Sequence, residues 1–206
     1  SRIVKLAFYI DNTWKVVQTE QVNEIGWSVL FRIDNWEVNK NIKYKLIHGK
    51  KAFFEGLIRK DPINKAEIKL AALSCNSNKD RGDRDEYVRN INTLDPDLIF
   101  FAGDQSYDHK EHTAAWIKFG LQFRELFRDR PCITIPDDHD IGQGNLWGEG
   151  GKKSMRKDGN DGGYFFHPEY VKMVERAQTA HLPDPYHKEE LDQGIKAYFT
   201  NLKIGD

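Results

Sequence analysis

The sequence predicts an α/β chain in two parts: an N-terminal antiparallel β-sandwich over residues 1–65, then a helix-covered parallel or mixed sheet over residues 66–206. Three observations predict it. Short β-like runs separated by turn residues fill the first 65 positions. Apolar strands then alternate with amphipathic helical stripes, the pattern of strand–helix–strand crossovers. Finally, 206 residues that are 39% hydrophobic and 12% aromatic carry enough apolar surface for a core and too much for disorder.

In the first part the β-like runs are Ile3–Ile10, Trp14–Val17, Trp27–Ile33, Ile42–Ile47 and Phe53–Ile58. Ile42, Tyr44 and Leu46 alternate with Lys43 and Lys45, as in a strand buried on one face. Asp11-Asn12, Asp34-Asn35, Gly49 and Asp61-Pro62 supply turn chemistry between runs. Trp14, Trp27 and Trp36 are read as core and interdomain packing, with a carbohydrate- or partner-binding surface as the alternative.

Beyond Lys65, Ile68–Leu73 reads as a strand and Asp83–Leu94 as a helix with Tyr87, Val88, Ile91 and Leu94 on one stripe. Asp95-Pro96 stops that helix. The apolar run Asp97–Ala102 reads as a strand buried on both faces. His112–Arg128 reads as one helix presenting Trp116, Phe119, Phe123 and Phe127, and Pro131–Pro136 as a third strand with Cys132 in the core. Residues 142–163 are too long and too rich in glycine for a simple connection and read as a functional or mobile loop. A helix over Pro168–Ala180 and a strand or hairpin over Gly194–Ile204 complete the chain.

Several function classes drop out. With 31 Lys and Arg against 32 Asp and Glu, the net charge of −1 gives no basic footprint for duplex nucleic acid. Two widely spaced cysteines exclude a disulfide-dense scaffold and a zinc ribbon. No apolar run approaches the roughly 20 residues of a membrane-spanning helix. No basic-then-apolar leader opens the sequence, so an export signal is expected to have been processed, trimmed or never present. The stretch around Gly151-Lys152 fails as a phosphate-binding loop, because Leu146 stands where a glycine is needed and Lys153 where Ser or Thr is needed. Two calcium-loop spacings, Asp138 to Glu149 and Asp158 to Glu169, each miss a required position. The second is kept as a candidate irregular calcium site.

The chemistry gathers after the three apolar strands of the second part. They end in Ser74-Cys75-Asn76, in Gly103-Asp104-Gln105-Ser106-Tyr107-Asp108-His109 and in Asp137-Asp138-His139-Asp140. Open α/β sheets bind ligands at the carboxyl ends of their strands. Cys75 offers a thiolate and Tyr107 a phenolate, a pair that favours a transition ion such as iron over magnesium. Asp104 and Asp138 add hard carboxylate oxygens that can reach a second metal. His139, between two aspartates, is placed to be oriented by a carboxylate and to donate a proton.

These three motifs resemble those of the alkaline phosphatase D (PhoD-like) branch of the calcineurin-like metallophosphoesterases. The Gly-Asp-x-x-Tyr element is also similar to that of purple acid phosphatases, and Asp137-Asp138-His139-Asp140 takes the place of the superfamily's Gly-Asn-His-Asp/Glu. The resemblance implies that residues 66–206 form the first half of a calcineurin-like α/β metallophosphatase sandwich, and that the β-part precedes it as in that branch. It implies a phosphoester hydrolase that activates water with two metal ions and acts on a small phosphoester. Cys75 and Tyr107 would hold Fe(III), Asp104 would bridge, and Asp138 would hold Ca²⁺ or another divalent ion. His139 would protonate the leaving oxygen and Asp140 would orient it. An extracytoplasmic bacterial setting is implied by the resemblance alone. The superfamily's later Gly-His-x-His ligands have no counterpart, since His167, His181 and His187 lack that spacing. The chain is therefore expected to stop before the second half of the fold, with a half-built metal site. The alternative is a non-catalytic carbohydrate- or partner-binding module carrying an inactive phosphatase-like remnant.

Overall fold

The computed structural model describes residues 2–37, 39–50, 52–77 and 82–205. Four strands form the first sheet: β1 (Ile3–Ile10), β2 (Thr13–Gln21), β3 (Ile42–His48) and β4 (Ala52–Ile58). Their order is β2-β1-β3-β4, and every pairing is antiparallel. The period-two pattern sets which face is covered. Leu6, Phe8 and Ile42 are buried together, with Tyr44, Leu46 and Ile58 packed against them. The run Trp27–Ile33, expected as a strand, is irregular. Gly26 and Trp27 both have positive φ, at 77° and 49°, and turn the chain away from the sheet. Phe31 then covers the Leu6–Phe8–Ile42 cluster, and Arg32 donates to the Leu182 carbonyl. The expected sandwich is thus a single four-stranded sheet among the described residues. Its apolar face is covered by irregular chain, with Trp36 set edge-on to Phe8 at 5.7 Å.

The second sheet is parallel: β5 (Leu70–Leu73), β6 (Leu98–Phe101) and β7 (Cys132–Thr134), with β6 in the centre. β6 is the buried strand that its apolar run predicts, with Ile99 and Phe101 almost fully enclosed. The crossover from β5 to β6 runs through α1 (Arg84–Leu94), whose N-terminus Asp83 caps by accepting from the Asp85 N–H. From β6 to β7 the chain passes through α2 (His112–Gln122) and α3 (Arg124–Phe127). The expected single helix over His112–Arg128 is therefore two. The break falls at Phe123, with φ −104° and ψ 15°. Packing explains it, since Phe123 and Phe127 both reach the Phe101 ring, at 5.1 and 5.4 Å, across a core shared with Phe119 and Leu126.

After β7 come the one-turn α4 (Asp138–Ile141) and α5 (Pro168–Thr179), which share a cluster of Ile141, Val171, Val174 and Ile195. The expected strand or hairpin over Gly194–Ile204 reduces to one antiparallel bridge between Glu190 and Lys196, with Tyr186 N–H donating to the Phe199 carbonyl. Residues 142–163 are internally bonded. The Asp161 carboxylate accepts from the Ser154 hydroxyl and from the N–H groups of Met155, Arg156 and Gly163. Gln143 ties the neck, donating to the Gly163 carbonyl and accepting from the Phe165 N–H. The candidate calcium site is corrected here: both Asp158 oxygens take guanidinium N–H bonds from Arg156, so donors already fill the positions a cation would need.

The two sheets meet at one carbonyl. Arg128 O, just past α3, accepts from Leu57 N–H and from Tyr44 Oη, both at 3.1 Å. Gly56 permits this approach, because a Cβ there would lie 2.1 Å from the same carbonyl oxygen.

Candidate metal centre

The site begins with the bonds that draw the strand ends together. Asn76 N–H donates to the Asp104 carbonyl at 2.8 Å, and Cys75 N–H to the Gly103 carbonyl at 3.4 Å. Gly103 lets the β6 and β7 ends touch: its φ is 93°, and a Cβ would sit 2.4 Å from that of Asp137. Cys75 and Asp104 both adopt left-handed backbone, with φ 58° and 56°. Such non-glycine conformations cost about 1–3 kcal/mol each and collect at functional sites.

Asp104 is the hub. Its carboxylate is 7% exposed, and Oδ2 accepts from Tyr107 Oη at 2.7 Å and lies 3.7 Å from Cys75 Sγ. Oδ1 is buried with no hydrogen-bond partner. Burial, together with the hydrogen bond to Asp104, holds the Tyr107 phenol well above its usual range. Asp104, Asp138 and His139 each bring a ligand atom within 4.8 Å of the others'.

The third motif folds as a cap, which the sequence reading did not foresee. Asp137 accepts from Asp138 N–H, and Asp140 Oδ2 accepts from Asp137 N–H, which closes a capping box on α4. Asp138 takes backbone N–H bonds on both oxygens, from His139 and Asn145. Asp140 also accepts from Ser106 N–H, and burial pushes its carboxyl up to about 6 against those backbone donors. Its printed bonds thus go to backbone, and the expected bond orienting His139 is made by another residue. His139 Nδ1 lies 2.6 Å from His109 Nε2, and its ring sits 4.2 Å from that of Tyr107. His109 was missed as a functional residue. The available signal was its place two residues after Tyr107 in the same strand-end loop.

The remaining histidines lie outside this cluster. His167 caps α5 by accepting from Glu169 N–H, His181 is drawn below its usual pKa by burial, and His187 faces Glu189 at 3.8 Å. Cys132 is a core thiol pushed up to about 12 by burial. Trp14 is occupied within the molecule, 5.3 Å from the Tyr9 ring and beneath the Lys45 ammonium at 4.4 Å.

The donor set fits a metal centre. A buried carboxylate oxygen without a partner, beside a thiol, a phenol, a second carboxylate and an imidazole, is a ligand arrangement and a poor apolar core. No family model matches the chain, and none of the curated proteins matches it in sequence. Among solved structures, the fold is similar to that of the purple acid phosphatase PPD1 isolated from yellow lupin (Lupinus luteus) seeds. The TM-score is 0.51 at 14% identity, over 79% of this chain and 34% of that one. This chain thus spans about a third of that phosphatase's length, and the likeness is one of fold.

Proposed function

We propose that this chain carries the front part of the active site of a metal-dependent phosphoester hydrolase of the PhoD-like type, with residues 1–65 as its own β-domain. The observation that carries the reading is the buried Asp104 carboxylate, with one oxygen shared by Tyr107 and Cys75 and the other unpartnered. The phosphatase fold of the solved neighbour supports it.

In this reading Cys75, Tyr107 and Asp104 hold an iron ion, and Asp104 and Asp138 hold a second ion, Ca²⁺ or another divalent metal. A metal pair, when bound, supplies activation of water near neutral pH and neutralisation of phosphoryl charge. This chain's residues do the rest. The left-handed turns at Cys75 and Asp104 aim thiolate and carboxylate at one point. The backbone bonds on Asp138 and Asp140 fix the α4 turn. His139 then presents its ring, held at Nδ1 by His109, to protonate the leaving alcohol. A small phosphoester is the proposed substrate and an extracytoplasmic bacterial compartment the proposed setting.

The test is metal content by elemental mass spectrometry, together with hydrolysis of 4-nitrophenyl phosphate and its bis-ester. Bound iron plus a second metal is expected, and Asp104→Asn should weaken metal binding at least tenfold by removing the shared ligand. Absence of both metals and of both activities, with Cys75 and Asp104 intact, would overturn the proposal.

A further inference from the structure

A cavity of about 310 Å³ adjoins Cys75, and its walls are chemically distinct from the carboxylate cluster. Phe101, Phe123 and Tyr87 line it with apolar surface, and Ser77 and Arg84 add polar groups. Arg84 stands at the start of α1. One of its terminal nitrogens donates to the Ser77 carbonyl, and its guanidinium lies over the Tyr87 ring at 5.1 Å. The group is therefore held in place by two neighbours. Its Nε is buried and has no hydrogen-bond partner.

A buried N–H on a permanent cation is a donor awaiting an acceptor, and leaving it unpaired is costly. Apolar walls of ring size exclude a fully hydrated ion. A singly charged carboxylate on an aromatic body fits this combination better than a phosphate, whose second charge makes desolvation more expensive. The volume is at the lower end of small-molecule sites, enough for one substituted ring. Cys75 belongs to both features: it lines the cavity, and its Sγ lies 3.7 Å from Asp104 Oδ2. One molecule can thus occupy both.

We infer that this cavity receives the leaving group of the substrate, and that Arg84 selects phosphoesters whose alcohol carries a ring with a carboxylate. The inference rests on the hydrolase reading, and the experiment separates the two. First, the metal-free chain, labelled with ¹⁵N, is titrated with benzoate while the Arg84 Nε–H resonance is followed. A saturable shift at Arg84 is expected. Second, kcat/KM is compared for 4-carboxyphenyl phosphate and phenyl phosphate on the metal-loaded protein. A preference of about tenfold for the carboxylated ester is expected from one charge-assisted hydrogen bond, falling to near unity in Arg84→Gln. An unmoved Arg84 signal, or hydrolysis without preference, overturns the pocket. A benzoate shift at Arg84 in a protein that hydrolyses neither ester keeps the pocket as a carboxylate site and overturns the hydrolase reading instead.

Discussion

His139 and His109 meet nitrogen to nitrogen at 2.6 Å across 30 positions of sequence. That contact defines the residue-scale question of the site, because a histidine held at Nδ1 presents only Nε2 to a reactant. If His139 works as a proton donor, His139→Ala lowers turnover by about 10²–10⁴ while metal content stays at the wild-type level. Loss of the metals in that variant would instead make His139 a ligand, a role its place beside Asp104 and Asp138 also allows. Cys75, Asp104, Asp138 and His139 were legible in the sequence for one reason: each follows directly on an apolar run, and strand ends converge. His109 was not legible, because its part in the site is a ring contact that no local pattern encodes. Asp140 shows the reverse. Its type and position suggested a bond to His139, but the backbone N–H groups of Asp137 and Ser106 take its oxygens.

At the scale of elements, strands and the first crossover helix were legible to within about two residues, because burial writes its period into them. What was hidden is what depends on neighbours. The break at Phe123 answers to Phe101, and the irregular course of Trp27–Ile33 answers to the sheet face it covers. The contact of β4 with the end of α3 belongs to the same class. Gly56 has no Cβ to obstruct the Arg128 carbonyl, and a methyl there would also meet the Tyr44 ring at 2.6 Å. Both neighbours are held, one by its own hydrogen bonds and one by packing. Gly56→Ala is therefore expected to destabilise the protein by about 1–3 kcal/mol, read as a lower urea midpoint with an unchanged slope.

For the molecule as a whole, pH exposes how the helical layer is joined. His112, at the start of α2, is 7% exposed, lies between the Trp116 and Tyr170 rings, and has no hydrogen-bond partner on either nitrogen. Burial brings its pKa down to about 4 from the usual 6.5. The folded state thus prefers the neutral ring. The associated stability is fully present above pH 6.5 and is lost as pH falls toward 4. It is on the order of 3 kcal/mol. Urea unfolding at pH 7 and pH 4 should show the wild type losing that much more than His112→Phe, and equal losses would refute the assignment.

The bonding of Asp161 bears on how residues 142–163 meet an enzyme that needs slack chain. Composition alone suggests an open target for trypsin, with Lys152, Lys153, Arg156 and Lys157 on a glycine-rich stretch. A protease must draw several residues into extended form, and here four donors hold the segment to one carboxylate. Limited digestion should therefore spare this stretch in the native protein, and Asp161→Ala should make it the first place cut. Glycine in this segment marks the sharpness of its turns, and the lifetime of the uncut chain is the measure of it.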